Sequence, residues 1–503
     1  MEIDARRFRE GATLDTDTCI IGAGPAGLVL AAELVDKRCD VIVIESGSHR
    51  PEADILALNV GETSGDVYAG LGSTRSRGIG GTAQLWNSAT AGMIGAKYAP
   101  LDAADFESRP GHEHSGWPFT LDDLRADYER AQRICGLGPF SYDGGAWADS
   151  LHQPWSTPGT AIVSRVYQGG TRDALLSPLR ARVTRATNVR LCTHATALAL
   201  HANSSQRRIT NISVATPGGA HWSVRPKRIV LAAGAVENAR LLLLTDQGTG
   251  AMGNGSGWVG RGFMEHPRDR ALTLHPRSTT LYARSAFYDQ WRAGDGTWII
   301  GRLALDQAMI ARENLLNASA TLMPRPNTRR LRLSAGLPRF AAGWMRMEGH
   351  GWSRTRRSAR AYDGFTVLLN VEQTPHRDNR VTLGTRRDSL GVPIPSLHWS
   401  WRADDHARLE RLRALFAREL EALGTVTADH AARPDPNAHH HAGTTRMHDD
   451  SRQGVADAHG RVHATDNLYV AGSSTFPTAG FVNPVLTIVA MSVRLARHLN
   501  ATG

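Results

Sequence analysis

The stretch DTCIIGAGPAGLVLAAELVDKRCDVIVIE, residues 17–45, limits the fold more than any other part of the chain. A short apolar strand ends at Ile21, and Gly22-Ala-Gly24-Pro-Ala-Gly27 follows. Then come a helix of small and apolar residues and a second strand, Val41 to Ile44, closed by Glu45. This is a βαβ dinucleotide fingerprint in the context the motif requires. Gly22 permits the tight turn, Gly24 lets a pyrophosphate approach the backbone, and Gly27 allows the helix to pack closely on the strand. The helix N-terminus turns unpaired N–H groups toward the phosphates, and Glu45 stands where an acid accepts hydrogen bonds from a ribose. The fingerprint alone does not separate NAD from FAD, and it leaves an NAD-linked dehydrogenase as one reading.

Two more strand-to-helix crossings follow the first. RIVLAAGAVENARLLLLT, 228–245, turns at Gly234. Near the C-terminus a strand from Leu468 to Ala471 turns at Gly472, and a helix opens at Asn483-Pro484. Asn is a favoured N-cap and Pro a favoured first helical residue, so the start of this helix is well specified. Its positive end suits an anionic group. RSRGIGGTAQLWNSATAG, 75–92, is a Gly-rich loop that suits packing against a flat ring or a phosphate. Amphipathic helices are expected over 121–138 and 405–424, and strands at WIIGRLAL and FTVLLNVEQ. There is no repeat and no clean linker. The predicted class is α/β: a Rossmann-like dinucleotide domain from 1–95, 160–270 and 431–503, interleaved with a substrate domain on an antiparallel sheet from 96–159 and 271–430.

Composition narrows the setting. No apolar run approaches a membrane span, and the first residues lack the apolar core of a signal peptide. The four cysteines show no paired spacing, which suggests reduced thiols in a cytoplasmic protein. The net charge of +10 is local: between Arg325 and Arg360 ten arginines face one acid, Glu348. That argues against a nucleic-acid surface spread over the fold. It leaves a solvated face, or a segment that meets a membrane, an acidic partner or an anionic substrate.

The run AHHHAGTTRM, 438–447, raises the question of a metal. A metal needs three or four converging ligands, and adjacent histidines on an extended chain point alternately to opposite sides. No cysteine or second histidine cluster is spaced to complete a set, so no metal is expected. One histidine working as a base near neutral pH is the better reading.

With GGTAQLWNSA, LAAGAVENARLLL, VGRGFMEHP, HHHAGTTRM and PTAGFVNPVLT in this order, the chain resembles the glucose–methanol–choline (GMC) flavin oxidoreductases. Within them it is most similar to pyranose oxidases and bacterial sugar or C-glycoside 3-oxidases. The likeness is close at both ends and loose over 271–430, where VEQTPHRDNRVTL matches best. The resemblance implies FAD held by Gly22, Gly24, Gly27, Glu45, Gly80, Gly81, Trp86, Asn87, Gly234, Gly472 and Pro484. It places the catalytic histidine on His440, gives His439 and His441 no role, and puts the second catalytic position on Asn483. Leu85 stands where fungal relatives carry the histidine bonded to flavin, which implies non-covalent FAD.

The implied reaction oxidises a ring hydroxyl of a pyranose or glycoside, passing hydride to flavin N5. Oxygen, a quinone or a protein then takes the electrons. Gln373 is either a polar contact to sugar hydroxyls or a satisfied strand residue. A steroid or other hydrophobic alcohol is the alternative substrate. A flavoprotein docking module using 325–360 is the alternative of another class.

Overall fold

The computed structural model describes residues 1–86, 96–155, 161–327, 352–354 and 362–502. Asn87 and most of the basic segment 325–360 lie outside the described residues. The fingerprint strand Thr13–Ile21 is central in a sheet of eight strands among these residues. On one side stand Val41–Ile44, Val189–Thr193 and Glu2–Asp4, all parallel. On the other, His221–Leu231 pairs in parallel with both Thr13–Ile21 and the C-terminal strand Leu468–Val470. Two antiparallel strands, Ile209–Ala215 and Thr196–Ala202, extend that edge. The helix Pro25–Glu33 is apolar along nearly its whole length because it is covered on several sides, by Val485–Ala501 and Arg172–Arg185 among others.

A second sheet of eight strands is antiparallel throughout. It runs Gly424–Ala428, Arg268–Pro276, Tyr362–Val371, Ala318–Pro326, Trp298–Leu305, Ile162–Gly170, Ala96–Tyr98, with Gln290–Arg292 beside Trp298–Leu305. Alternation along its strands separates two faces. Phe365, Val367, Leu369 and Val371 are buried, whereas Thr366, Leu368 and Asn370 are half-buried. The helix Ala403–Leu420 covers the buried side, where Arg413 pairs with Asp269 at 2.5 Å. A third, small sheet joins Glu62–Gly65 to Pro393–Trp399 and Arg380–Arg387.

The structure thus bears out the mixed α/β class, and the helices and strands expected from periodicity are present. Ile162–Gly170, inside a span expected in the dinucleotide domain, pairs in the antiparallel sheet with Trp298–Leu305. Glu62–Gly65, expected in the first domain, pairs with a strand of the second. Among the described residues no helix is long and apolar enough to cross a membrane, and the four cysteines are free and buried.

The fingerprint glycines divide by what a side chain would meet. A Cβ on Gly27 would stand 1.9 Å from the Gly22 carbonyl oxygen, so the helix seats directly on the turn. At Gly22, with φ +107, it would meet the Ala232 oxygen at 2.6 Å. At Gly24 nothing is nearer than 3.9 Å. Gly27→Ala is therefore expected to destabilise the fold by about 2–4 kcal/mol. Gly24→Ala should leave it nearly unchanged; thermal unfolding of the cofactor-free variants measures the contrast.

Candidate active site

The three crossings converge on one cleft. Gly22, Gly24, Glu45, Gly81, Trp86, Gly234, Gly472 and Pro484 line it, together with His439, His440, His441 and Asn483. Gly80 is not at the lining but ties the Gly-rich loop down: its N–H donates to the Ala23 carbonyl at 2.8 Å. A Cβ on Gly81 would come within 3.0 Å of the Gly24 Cα, so loop and fingerprint press together. Leu85 is half exposed at the end of the short helix Gly81–Leu85.

The cleft fits a dinucleotide. The helices Pro25–Glu33, Ala235–Asp246 and Val485–Ala501 have no side-chain caps, leaving N-terminal N–H groups for an anionic ligand. The last of these starts one residue later than expected. Pro484, not Asn483, is its N-cap, so the Asn483 side chain makes no capping bond and faces the cleft.

Glu45 does more than the fingerprint implies. Its carboxylate accepts N–H groups from Gly47 and Gly78 on Oε1, at 3.0 and 2.8 Å, and from Ala23 on Oε2 at 2.9 Å. It therefore pins the Gly-rich loop to the turn and keeps one Oε2 lone pair. Glu237 anchors the same end of the cleft between Arg75, Arg77 and Arg240, and Arg240 also reaches Asp388 at 2.7 Å. These cations hold the buried Glu237 carboxyl well below the usual range against the opposing effect of burial.

An antiparallel bridge between Met264 and Ala442 lays Glu265 and His266 beside the histidine run. The Nδ1 atoms of His266 and His440 are 3.0 Å apart, and His266 Nε2 is 3.2 Å from the Ala479 carbonyl oxygen. A carbonyl only accepts, so His266 Nε2 carries its proton. Burial draws His266 down to about 4, which keeps it neutral at pH 7 with Nδ1 bare. His440 must then donate from Nδ1, and its lone pair is left on Nε2. Burial first, then the neighbouring His266 and Arg268, hold His440 far below the ordinary histidine range, so it too is neutral.

Glu265 is fully buried and accepts the backbone N–H groups of His440, at 2.9 Å, and of His266, at 3.3 Å. The Tyr68 hydroxyl donates to its other oxygen at 2.5 Å and lies 2.9 Å from His441 Nε2. Burial raises the Glu265 carboxyl to about 7 against these donors. Glu265, His439 and His441 bring ligand atoms within 4.8 Å of one another, a grouping absent from the linear spacing. Both Glu265 oxygens are nonetheless already engaged.

Gln373 is corrected as a substrate contact. It is fully buried, and its Oε1 accepts from the Glu265 N–H and from Trp399 Nε1, both at 3.0 Å. Its amide is spent on holding Glu265. Sequence reasoning missed Glu265 and His266 as site residues, although VGRGFMEHP contains both; a polar pair inside an otherwise apolar segment was the available signal.

Fold and site together define a flavin-dependent oxidoreductase. A model described as GMC oxidoreductase matches residues 375–492, and one described as an NAD(P)-binding Rossmann-like domain matches 20–50. The chain belongs to the GMC oxidoreductase family. It is 25% identical to 6'''-hydroxyparomomycin C oxidase of Streptomyces lividus, over 96% of this chain and 91% of that protein. It is 36% identical to a C-glycoside 3-oxidase of Microbacterium trichothecenolyticum, over 22% of each chain. Pyridoxine 4-oxidase from "Mesorbium loti" shares the fold, with a TM-score of 0.54 and 18% identity over 96% of this chain and 98% of that one.

The proton positions are directly measurable. 15N NMR of histidine-labelled protein should show neutral His440 as the Nδ1–H tautomer, persisting as pH falls below 6 by about a unit or more. In His266→Leu, which lacks the acceptor, that tautomer should lose its dominance.

Proposed function

We propose that the protein oxidises a ring secondary alcohol of a pyranose or glycoside to a ketone. The observation that carries this is a neutral His440 with its bare Nε2 on the cleft that Asn483 also lines. FAD, when bound, supplies the two-electron acceptor for the carbinol hydride. Gly22, Gly24, Gly81 and Gly234 would hold its phosphates and backbone-facing edges, Glu45 its ribose, and Trp86 its ring system. Leu85 has no atom able to bond covalently to flavin, so binding is non-covalent.

His440 takes the substrate hydroxyl proton at Nε2, and His266 Nδ1 shares the proton already on Nδ1, steadying the positive ring that results. Asn483 hydrogen-bonds the same hydroxyl oxygen and holds it within reach. The uncapped N-terminus of Val485–Ala501 favours negative charge arriving at the ring system. The 25–36% identical relatives named as sugar or glycoside oxidases support this substrate class. So does the polar face of the antiparallel sheet, which a hydrophobic alcohol would leave unsatisfied. The electron acceptor is oxygen, a quinone or a protein.

His440→Ala should keep FAD and lose about 10²–10⁴-fold in the rate of anaerobic flavin reduction by a glycoside substrate; near-normal reduction would remove His440 from the role. In the unaltered protein that rate should be level across neutral pH and fall in acid. A lowered pKa leaves the base form populated down to that pKa and depletes it below.

A further inference from the structure

The face of the antiparallel sheet turned toward the histidines carries positive charge that has no counterpart. Arg268, opposite Asn370 on this face, donates to the Asn437 carbonyl, two residues before His439. Farther across, Arg302 is 1% exposed and lies between two rings, with its guanidinium carbon 4.7 Å from the centroids of Tyr167 and Phe481. Phe481 stands two residues before Asn483, so Arg302 sits directly behind the segment that carries the second catalytic candidate. Arg302 Nε donates to the Val166 carbonyl at 3.3 Å, and Nη1 is buried with no partner. Lys97, on the adjoining edge strand, places Nζ 5.9 Å from the same Tyr167 ring. Among the described residues neither cation has a carboxylate within ion-pair distance.

That arrangement is costly unless something offsets it. A buried guanidinium is ordinarily paired, and the two aromatic faces recover only part of the lost hydration. Burial lowers the Lys97 pKa with no opposing acid. The sheet register puts Tyr167 between the two cations, and its hydroxyl is tied to Ser319 Oγ at 3.1 Å, which fixes the ring between them. A neutral sugar would satisfy hydroxyl-sized partners and leave both charges uncompensated. A ligand that brings its own negative oxygens would not.

We propose that the substrate is an acidic sugar or glycoside whose carboxylate is held by Arg302 and Lys97 while its ring hydroxyl meets His440. The proposal rests on the reading of the cleft given above and narrows its substrate class. Arg302 and Lys97 then set specificity, taking no part in bond breaking. Charge-assisted bonds from two cations give a carboxylate roughly 10–100-fold tighter binding than the matching hydroxymethyl group.

The test uses FAD-loaded protein and matched pairs of methyl glycosides and methyl glycosiduronates of the gluco and galacto series. Binding is followed by equilibrium dialysis and reaction by anaerobic flavin bleaching. The expected result is tighter binding and faster bleaching with the uronate of at least one pair. In Lys97→Met, binding of that uronate should fall toward that of its neutral partner. Uronates that bind no better than neutral glycosides would overturn the proposal, as would an undiminished preference in both Lys97→Met and Arg302→Met. Bleaching by the neutral sugars alone would sink the acidic-substrate reading and leave the oxidation intact. Preferential binding of a uronate without bleaching would uphold the cationic site and count against the proposed reaction.

Discussion

One buried carboxylate holds the catalytic half of the molecule in register. Glu265 gathers the Tyr68 hydroxyl and the backbone N–H groups of His440 and His266, and its own N–H is fixed by Gln373. These partners come from four separate stretches of chain, so the carboxylate does what no local turn could. Removing it would strand several buried donors at once, each costing about 1–3 kcal/mol. The tautomer of His440 depends on this anchoring, because the 3.0 Å approach of the two imidazoles exists only while both backbones are held.

The opposite end of the cleft is organised by the same device. Glu45 and Glu237 are buried acids whose oxygens are filled by the protein itself, the first by backbone N–H groups and the second by arginines. Both span from the Rossmann crossings to the loop that carries Arg75, Arg77 and Gly78. The loop is thereby shaped before any ligand arrives, which reduces the ordering cost of binding.

What could be read from the sequence was whatever local spacing encodes. The Gly22–Gly27 turn, the crossings at Gly234 and Gly472, and the long helices follow from periodicity and from residues with restricted or special backbone preferences. His440 and Asn483 were legible through motif order, and the structure brings them to one cleft. His266 was not, because its meaning lies in a contact with a residue 174 positions away. Gln373 looked available in VEQT, but whether an amide is free or spent is decided by tertiary packing. The one-residue error at the last helix has a similar origin: Asn is a good cap in isolation, and here its side chain faces a cleft instead. The sheet allegiance of Ile162–Gly170 was likewise invisible, since alternation specifies a strand without naming its neighbour.

The pairing of Leu468–Val470 with Ile229–Leu231 has a consequence for how the protein comes into being. The central sheet lacks one of its members until nearly the entire polypeptide has left the ribosome, and the helix that follows covers Pro25–Glu33 later still. A nascent chain therefore holds the nucleotide turn early but has neither the base nor the closing helix beside it. Contacts of such long sequence separation form slowly, so capture of the flavin is a post-translational event that competes with aggregation of the half-built sheet. Limited flavin supply during expression would then lower the yield of folded protein as well as its occupancy.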